Sequence, residues 1–390
     1  MVKSRLLVCG ATQITLLGIS SPVGPIFQPN KRRINLLMKR FIFNFLFFLF
    51  VERAKVIIFL NYTPYTVYLH SICILFGSCL METKVDFVAE INRLRKVKKA
   101  LLLAHYYQTP DIQDIADCVG DSLALAQWAA KTTADIIVLC GVHFMGETAK
   151  LLSPEKKVLV PDMNAGCSLA DSCPADAFET FVKAHPGYQV ISYVNTSAAV
   201  KAHTDIVVTS TNARKIVDSF PLDAKLIFAP DRNLGQYLNS TTGRQMALWD
   251  GACHVHEQFS LEKILDLSKT HPDAEIVAHP ECKQPILTIA DFIGSTAALI
   301  TYTMQSSKTA FIVATESGVI HEMRKRSPQK TFIPAPPNDS TCACNECCFM
   351  RLNTMEKVYL CLRDEQPEIQ IDPKIREKAV KPIQRMLELS

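Results

Sequence analysis

The chain has 390 residues, of which 48% are hydrophobic and 21% charged, and a formal net charge of +4. That length and apolar content exclude a disordered chain or a disulfide-stapled miniprotein, and leave room for two or three domains. The basic residues form no long run beyond Lys31–Arg33 and no finger spacing or aromatic RNA-binding motif, so nucleic acid is not an expected partner. Fourteen cysteines in a core-rich chain point to metal or catalysis in a reducing compartment, not to disulfides. Cys118, Cys140 and Cys361 fall inside apolar runs and read as small buried hydrophobes.

In chain order, residues 1–80 differ from the remainder. FIFNFLFFLF (41–50) and an apolar run over 56–80 approach the ~20 residues that span a bilayer, so a membrane anchor is one reading. The preferred reading takes Met81 as the functional start, with 1–80 a dispensable extension. From Met81, METKVDFVAEINRLRKVKKALLLAHYY reads directly as an amphipathic helix followed by a strand.

A threefold repeat follows. The apolar strands LLLAHYYQ, VISYVNTS and EIVAHPEC deliver His105, Tyr193 and His279, which are 88 and 86 residues apart. Seventeen residues beyond each lies a hydroxyl, Ser122, Ser210 or Thr296, and five before each hydroxyl lies Asp117, Asp205 or Asp291. Each unit continues with a hydroxyl-started helix (SLALAQWAAK, STNARKIVD, TAALITYTM), a strand (DIIVLC, KLIFAP, AFIVAT), a short helix and a third strand (KVLVP, MALWD, TFIPAP). Alternating strands and helices predict an α/β fold of three pseudo-symmetric αβα units, each with a small parallel sheet. The expected boundaries are 81–175, 176–260 and 261–350, with a helical segment over 351–390. A hydroxyl at a helix start is ordinarily an N-cap, but the same helix start offers free N–H groups to an anion. Ligands of open α/β sheets sit beyond the carboxyl ends of the strands, so three such ends predict one central pocket.

A cysteine closes each unit: Cys167, Cys253 and one of the cluster CACNECC at 342–348. Three thiolates fall one short of a structural tetrahedral site and leave a coordination position open. Zinc with a water and a [4Fe-4S] cluster with one free iron are both compatible with that set. Cys344 and Cys347 would make half of a zinc site, or a redox-sensitive pair, but no second half is visible.

The stretches HYYQTPDIQDIADCVGDSL, GVHFMGETAKLLSPEKKVLVPD, CSLADSCP, YVNTSAAVKA, VVTS, APDRNLGQY, GACHVH, HPEC, IGSTAALI and CCFMRLN resemble, in order and spacing, the quinolinate synthase family over roughly 85–365. The resemblance implies three α/β units around a [4Fe-4S] cluster held by Cys167, Cys253 and Cys347, with Cys348 where the family usually has proline. It further implies a cytoplasmic transferase of NAD biosynthesis that condenses iminoaspartate with dihydroxyacetone phosphate, with L-aspartate oxidase as functional partner supplying iminoaspartate. The family's substrate contacts fall on His105, Ser122, Tyr193, Val194, Asn195, Ser210, His279, Pro280, Glu281 and Thr296, with Tyr107 and His256 as weaker additions. Proton transfer is expected of His105, Tyr193, His279 and Glu281, and anion binding of Ser122, Ser210 and Thr296, with Asn195 orienting a carboxylate. Glu147 and Lys150 are expected to pair away from the site, FMRLN to start a helix below the pocket, and Cys342, Cys344 and Cys348 have no assigned role. A membrane-tethered zinc-binding protein is the rival expectation.

Overall fold

The computed structural model describes residues 85–338 and 345–390. The extension over 1–80, the proposed start at Met81, Cys342 and Cys344 lie outside the described residues. Among the described residues no helix is long and apolar enough to cross a membrane.

The fold is α/β, with three four-stranded sheets of the same connectivity. The first sheet contains β1 (Ala100–His105), β2 (Cys118–Gly120), β3 (Ile136–Cys140) and β4 (Lys157–Leu159). The second contains β5 (Gln189–Tyr193), β6 (Ile206–Val208), β7 (Leu226–Ala229) and β8 (Ala247–Leu248). The third contains β9 (Glu275–Ala278), β10 (Phe292–Ile293), β11 (Ala310–Ala314) and β12 (Thr331–Pro334). Their orders are β2-β1-β3-β4, β6-β5-β7-β8 and β10-β9-β11-β12, with parallel pairing throughout. Each sheet therefore places its first strand between its second and third, where the chain reverses its direction of progress across the sheet. That is the position from which open α/β sheets present ligand-binding residues. The central strands β3 and β7 are buried at every residue, as expected of parallel sheets covered on both faces.

The repeated aspartates are structural. Asp117, Asp205 and Asp291 each donate a backbone N–H to the carbonyl of Leu102, Val190 or Ile276 at 2.8–2.9 Å. Each carboxylate in turn accepts the N–H of that same residue, at 2.8, 2.7 and 2.7 Å. One residue thus supplies both halves of a missing rung just before a very short second strand, and anchors it in register on the first.

The hydroxyls that open the helices are not their caps. The helix Ser122–Lys131 is capped by Asp121, whose side chain accepts from Ala124 N–H. The helix Thr296–Gln305 is capped by Ser295, which accepts from Ala298 N–H. In the second unit the helix starts later, at Ala213, because Asn212 Oδ1 binds Thr209 N–H at 2.7 Å and folds 209–212 into a turn. Ser122, Ser210 and Thr296 are thereby released from capping. FMRLN also departs from expectation: Met350–Leu352 is a 3-10 turn, and the next helix, Met355–Asp364, starts afresh at the Thr354 cap.

Replacing Asp291 by Ala is expected to lower unfolding stability by about 1 kcal/mol, the scale of one net hydrogen bond at a partly exposed position. Asp291→Asn, which keeps an acceptor, is expected to lose less. Denaturant titration of both variants checks the order.

Candidate active site

One cavity receives matching residues from all three units. His105, Tyr193 and His279 stand at the ends of β1, β5 and β9, and two residues beyond them Tyr107, Asn195 and Glu281 also face the cavity. Ser122 and Thr296 line it from the helix starts, Ser210 from the turn before the helix at Ala213, and Cys167, Cys253 and Cys347 from the closing loops. His256, a weaker expectation, lines it as well.

Two expected contacts fall outside. Val194 is buried in the core, where its N–H donates to Val208 O and its carbonyl accepts from Lys201 Nζ at 2.8 Å. Pro280 is buried but does not line the cavity, because the turn after β9 points its two neighbours, His279 and Glu281, inward instead. Glu147 and Lys150 do not pair with each other. Glu147 accepts the N–H of Ala198 in the second unit, and Lys150 binds Glu368 at 3.0 Å.

Glu281 is 3% exposed and is the hub of the polar contacts. Tyr193 Oη donates to its Oε1 at 2.6 Å, and His256 Nδ1 lies 3.0 Å from its Oε2. The His279 ring stacks on that of His256 with centroids 4.9 Å apart. Burial opposes charge on Glu281, but the neighbouring His256 imidazole and the tyrosine hydroxyl outweigh it and hold the carboxyl below its ordinary range. Burial also pushes His105 down to about 3 and His279 down to about 4, so both rings are neutral at pH 7. Their tautomers follow from the backbone: Tyr107 N–H donates to His105 Nδ1 at 3.2 Å, and Glu281 N–H to His279 Nδ1 at 3.3 Å. With Nδ1 accepting, the ring proton of each sits on Nε2.

The loop that carries Tyr193 and Asn195 is held from behind. Lys201, fully buried, donates to the carbonyls of Val194 and Thr196. Among the described residues the buried Asn195 Oδ1 has no hydrogen-bond partner, and Asn195 lines the cavity.

The three cysteines have the chemistry of thiolate ligands. The backbone N–H groups that follow each cysteine, of Leu169 and Ala170 for Cys167, of His256 for Cys253, and of Phe349 and Met350 for Cys347, favour its ionised form. Burial nevertheless pushes Cys167 to about 12, Cys347 to about 11 and Cys253 well above its ordinary value, so ionised thiolates there call for a cation. Three thiolates on one tetrahedral zinc would stand about 3.8 Å apart. Among the described residues, the donor atoms that gather within 4.8 Å of one another are those of Cys253, His256 and Glu281, not the three sulfurs. A wider group fits the cysteine set better than a single ion does.

Glu316 and Thr315, just past β11, were not anticipated. Glu316 accepts the N–H of Cys347 at 3.0 Å, the N–H of Gly318 at 2.7 Å and Arg351 Nη2 at 3.0 Å, while Arg351 Nη1 reaches Tyr107 O at 2.7 Å. It fixes the third cysteine to the wall that carries Tyr107. The signal was present in the repeat, since Asp231 occupies the corresponding position past β7, 85 residues earlier. Thr315 Oγ1 joins Tyr107 Oη and His256 Nε2, both at 3.0 Å.

Residues 89–388 match the family described as quinolinate synthetase A protein. The chain is 59% identical over 306 residues to the quinolinate synthase of Thermosynechococcus vestitus, a match covering 78% of this chain and 96% of that protein. Similar matches are to the quinolinate synthases of a Synechococcus strain, 58% over 309 residues (79% and 97%), and of Chloroherpeton thalassium, 57% over 308 residues (79% and 96%). The chain, with one strand end, one helix start and one cysteine from each of three units around a single cavity, belongs to the quinolinate synthetase A family.

Proposed function

We propose that the protein is a quinolinate synthase, a cytoplasmic transferase of NAD biosynthesis that condenses iminoaspartate with dihydroxyacetone phosphate to quinolinate, phosphate and water. L-aspartate oxidase is the proposed supplier of iminoaspartate. The observation that carries the reading is the convergence of the threefold residue set on one cavity in a chain of this family. The rival reading, a membrane-tethered zinc protein, has no support from the described helices or from the cysteine spacing.

Cys167, Cys253 and Cys347 are the residues that would hold a [4Fe-4S] cluster. When bound on three thiolates it supplies an iron with an open position, a Lewis acid for a departing hydroxyl or for a carboxylate. The remaining work belongs to the side chains. His105 and His279, neutral and with the proton on Nε2, donate hydrogen bonds to a carbonyl or leaving oxygen without bringing net charge into a dry cavity. Glu281 is the ionised base, and Tyr193 Oη on its Oε1 gives a short path for returning the proton. Ser122 and Thr296 stand in the first turns of ten-residue helices, where hydroxyl and N–H groups suit a phosphate or carboxylate, and Ser210 serves from the third side. Asn195 orients a substrate carboxylate through its amide. Phe144, Met145, Phe349 and Met350 line the apolar part of the cavity and limit bulk water during imine chemistry.

The full chain, prepared without oxygen and given both substrates, is expected to form quinolinate. Glu281→Gln is expected to lower kcat by roughly 10²–10⁴-fold with KM little changed; an unaffected kcat would remove Glu281 from the chemistry. Glu316→Gln is expected to speed loss of the cluster absorbance in air and to leave Cys347 more open to alkylation in the cluster-free chain.

Acid should destabilise the fold through the histidines. The unfolded chain takes up protons on His105 and His279 below about pH 6.5, but the folded chain does so only near 3 and 4, so stability falls as pH drops through that window. Melting temperature is expected to fall between pH 7 and pH 5, with a shallower fall in His105→Asn; equal slopes would contradict the neutral, buried assignment.

A further inference from the structure

We propose that Cys253, His256 and Glu281 form a site for a single divalent cation of zinc's class, one that can fill only when Cys253 carries no cluster. The inference does not require the cluster reading; it requires only that Cys253 be free.

The three donor atoms lie within 4.8 Å of one another, on side chains turned inward. The first two come from GACHVH: Cys253 caps the helix His254–Glu257 and His256 follows three residues later, so both face the same side. The third comes from the turn after β9. The decisive detail is how His256 meets Glu281. His256 is 1% exposed, and its Nε2 is engaged by Thr315 Oγ1 at 3.0 Å, which turns Nδ1 toward the carboxylate. Nδ1 then lies 3.0 Å from Glu281 Oε2 and, among the described residues, makes no well-aligned hydrogen bond. Two ligands each about 2.0–2.1 Å from one tetrahedral ion stand about 3.3 Å apart, a few tenths of an ångström more than this separation, with their lone pairs converging on the ion and not on each other.

The surrounding contacts agree. Tyr193 Oη occupies Oε1 of Glu281 and leaves Oε2 available. Thr315 holds the imidazole from its far nitrogen, as outer-shell partners of metal-bound histidines do. One thiolate and one carboxylate balance a divalent charge, and the sulfur, nitrogen and oxygen set favours zinc or cobalt over magnesium or calcium, which take oxygen ligands. Three protein ligands leave the fourth position open to the cavity. A cation there would take both Cys253 and Glu281 out of use.

Full-length chain, stripped of iron anaerobically and titrated with Co²⁺, tests the site. One Co²⁺ per chain is expected, with a thiolate-to-cobalt absorption of one-thiolate intensity that Zn²⁺ abolishes by displacement. The band should vanish in His256→Ala and Glu281→Gln and persist in Cys167→Ala and Cys347→Ala. Thr315→Val, which keeps all three ligands, is expected to weaken binding about tenfold. Binding lost in Cys167→Ala but kept in His256→Ala, an absorption of three-thiolate intensity, or no Co²⁺ bound by the unaltered chain would each overturn the proposal.

Discussion

A carboxylate that is nearly sealed from solvent has to be compensated where it sits, and Glu281, carried by the third unit, draws its compensation from the second. Tyr193 arrives from the end of β5 and His256 from the loop beyond β8. Breaking the approach of the second and third units would leave a bare charge in an apolar cavity. The arrangement of the sheets and the state of the catalytic groups are therefore one problem: the same burial that keeps His105 and His279 neutral makes Glu281 dependent on its partners.

The threefold repeat explains how such a cavity is built from small parts. Among the described residues no sheet exceeds four strands and several strands have two or three residues, yet each second strand is registered by an aspartate that completes a rung on the first. Neighbouring residues take over the helix caps, so the hydroxyls next to them are free to face a ligand. Lys201 and Glu316 do comparable work in the loops, one behind Tyr193 and Asn195, the other behind Cys347.

Much of this is legible in the sequence because periodicity survives translation into structure. The positions of His105, Tyr193 and His279, the hydroxyls seventeen residues on, and Cys167 and Cys253 follow from strand ends and helix starts that recur at nearly fixed spacing. What escapes is whatever depends on direction within a turn. Val194 and Pro280 sit between cavity-lining neighbours, and only the pleat and the turn decide that they point elsewhere. The capping roles of Asp121 and Ser295 are one residue from the expected hydroxyls, within the ordinary slippage of helix ends. Glu316 and Thr315 escape because their importance lies in partners 31 and 59 residues away, and the Glu147 and Lys150 contacts because each partner belongs to a different element.

The central claim is that three cysteines, one per unit, hold an iron-sulfur cluster in the cavity around Glu281. Iron and acid-labile sulfide analysis of the full chain, prepared anaerobically and compared with Cys253→Ala, tests it most directly. The account predicts about four iron and four sulfide per unaltered chain and neither in the variant. An unaltered chain that holds neither iron nor sulfide after anaerobic preparation with both supplied would contradict it.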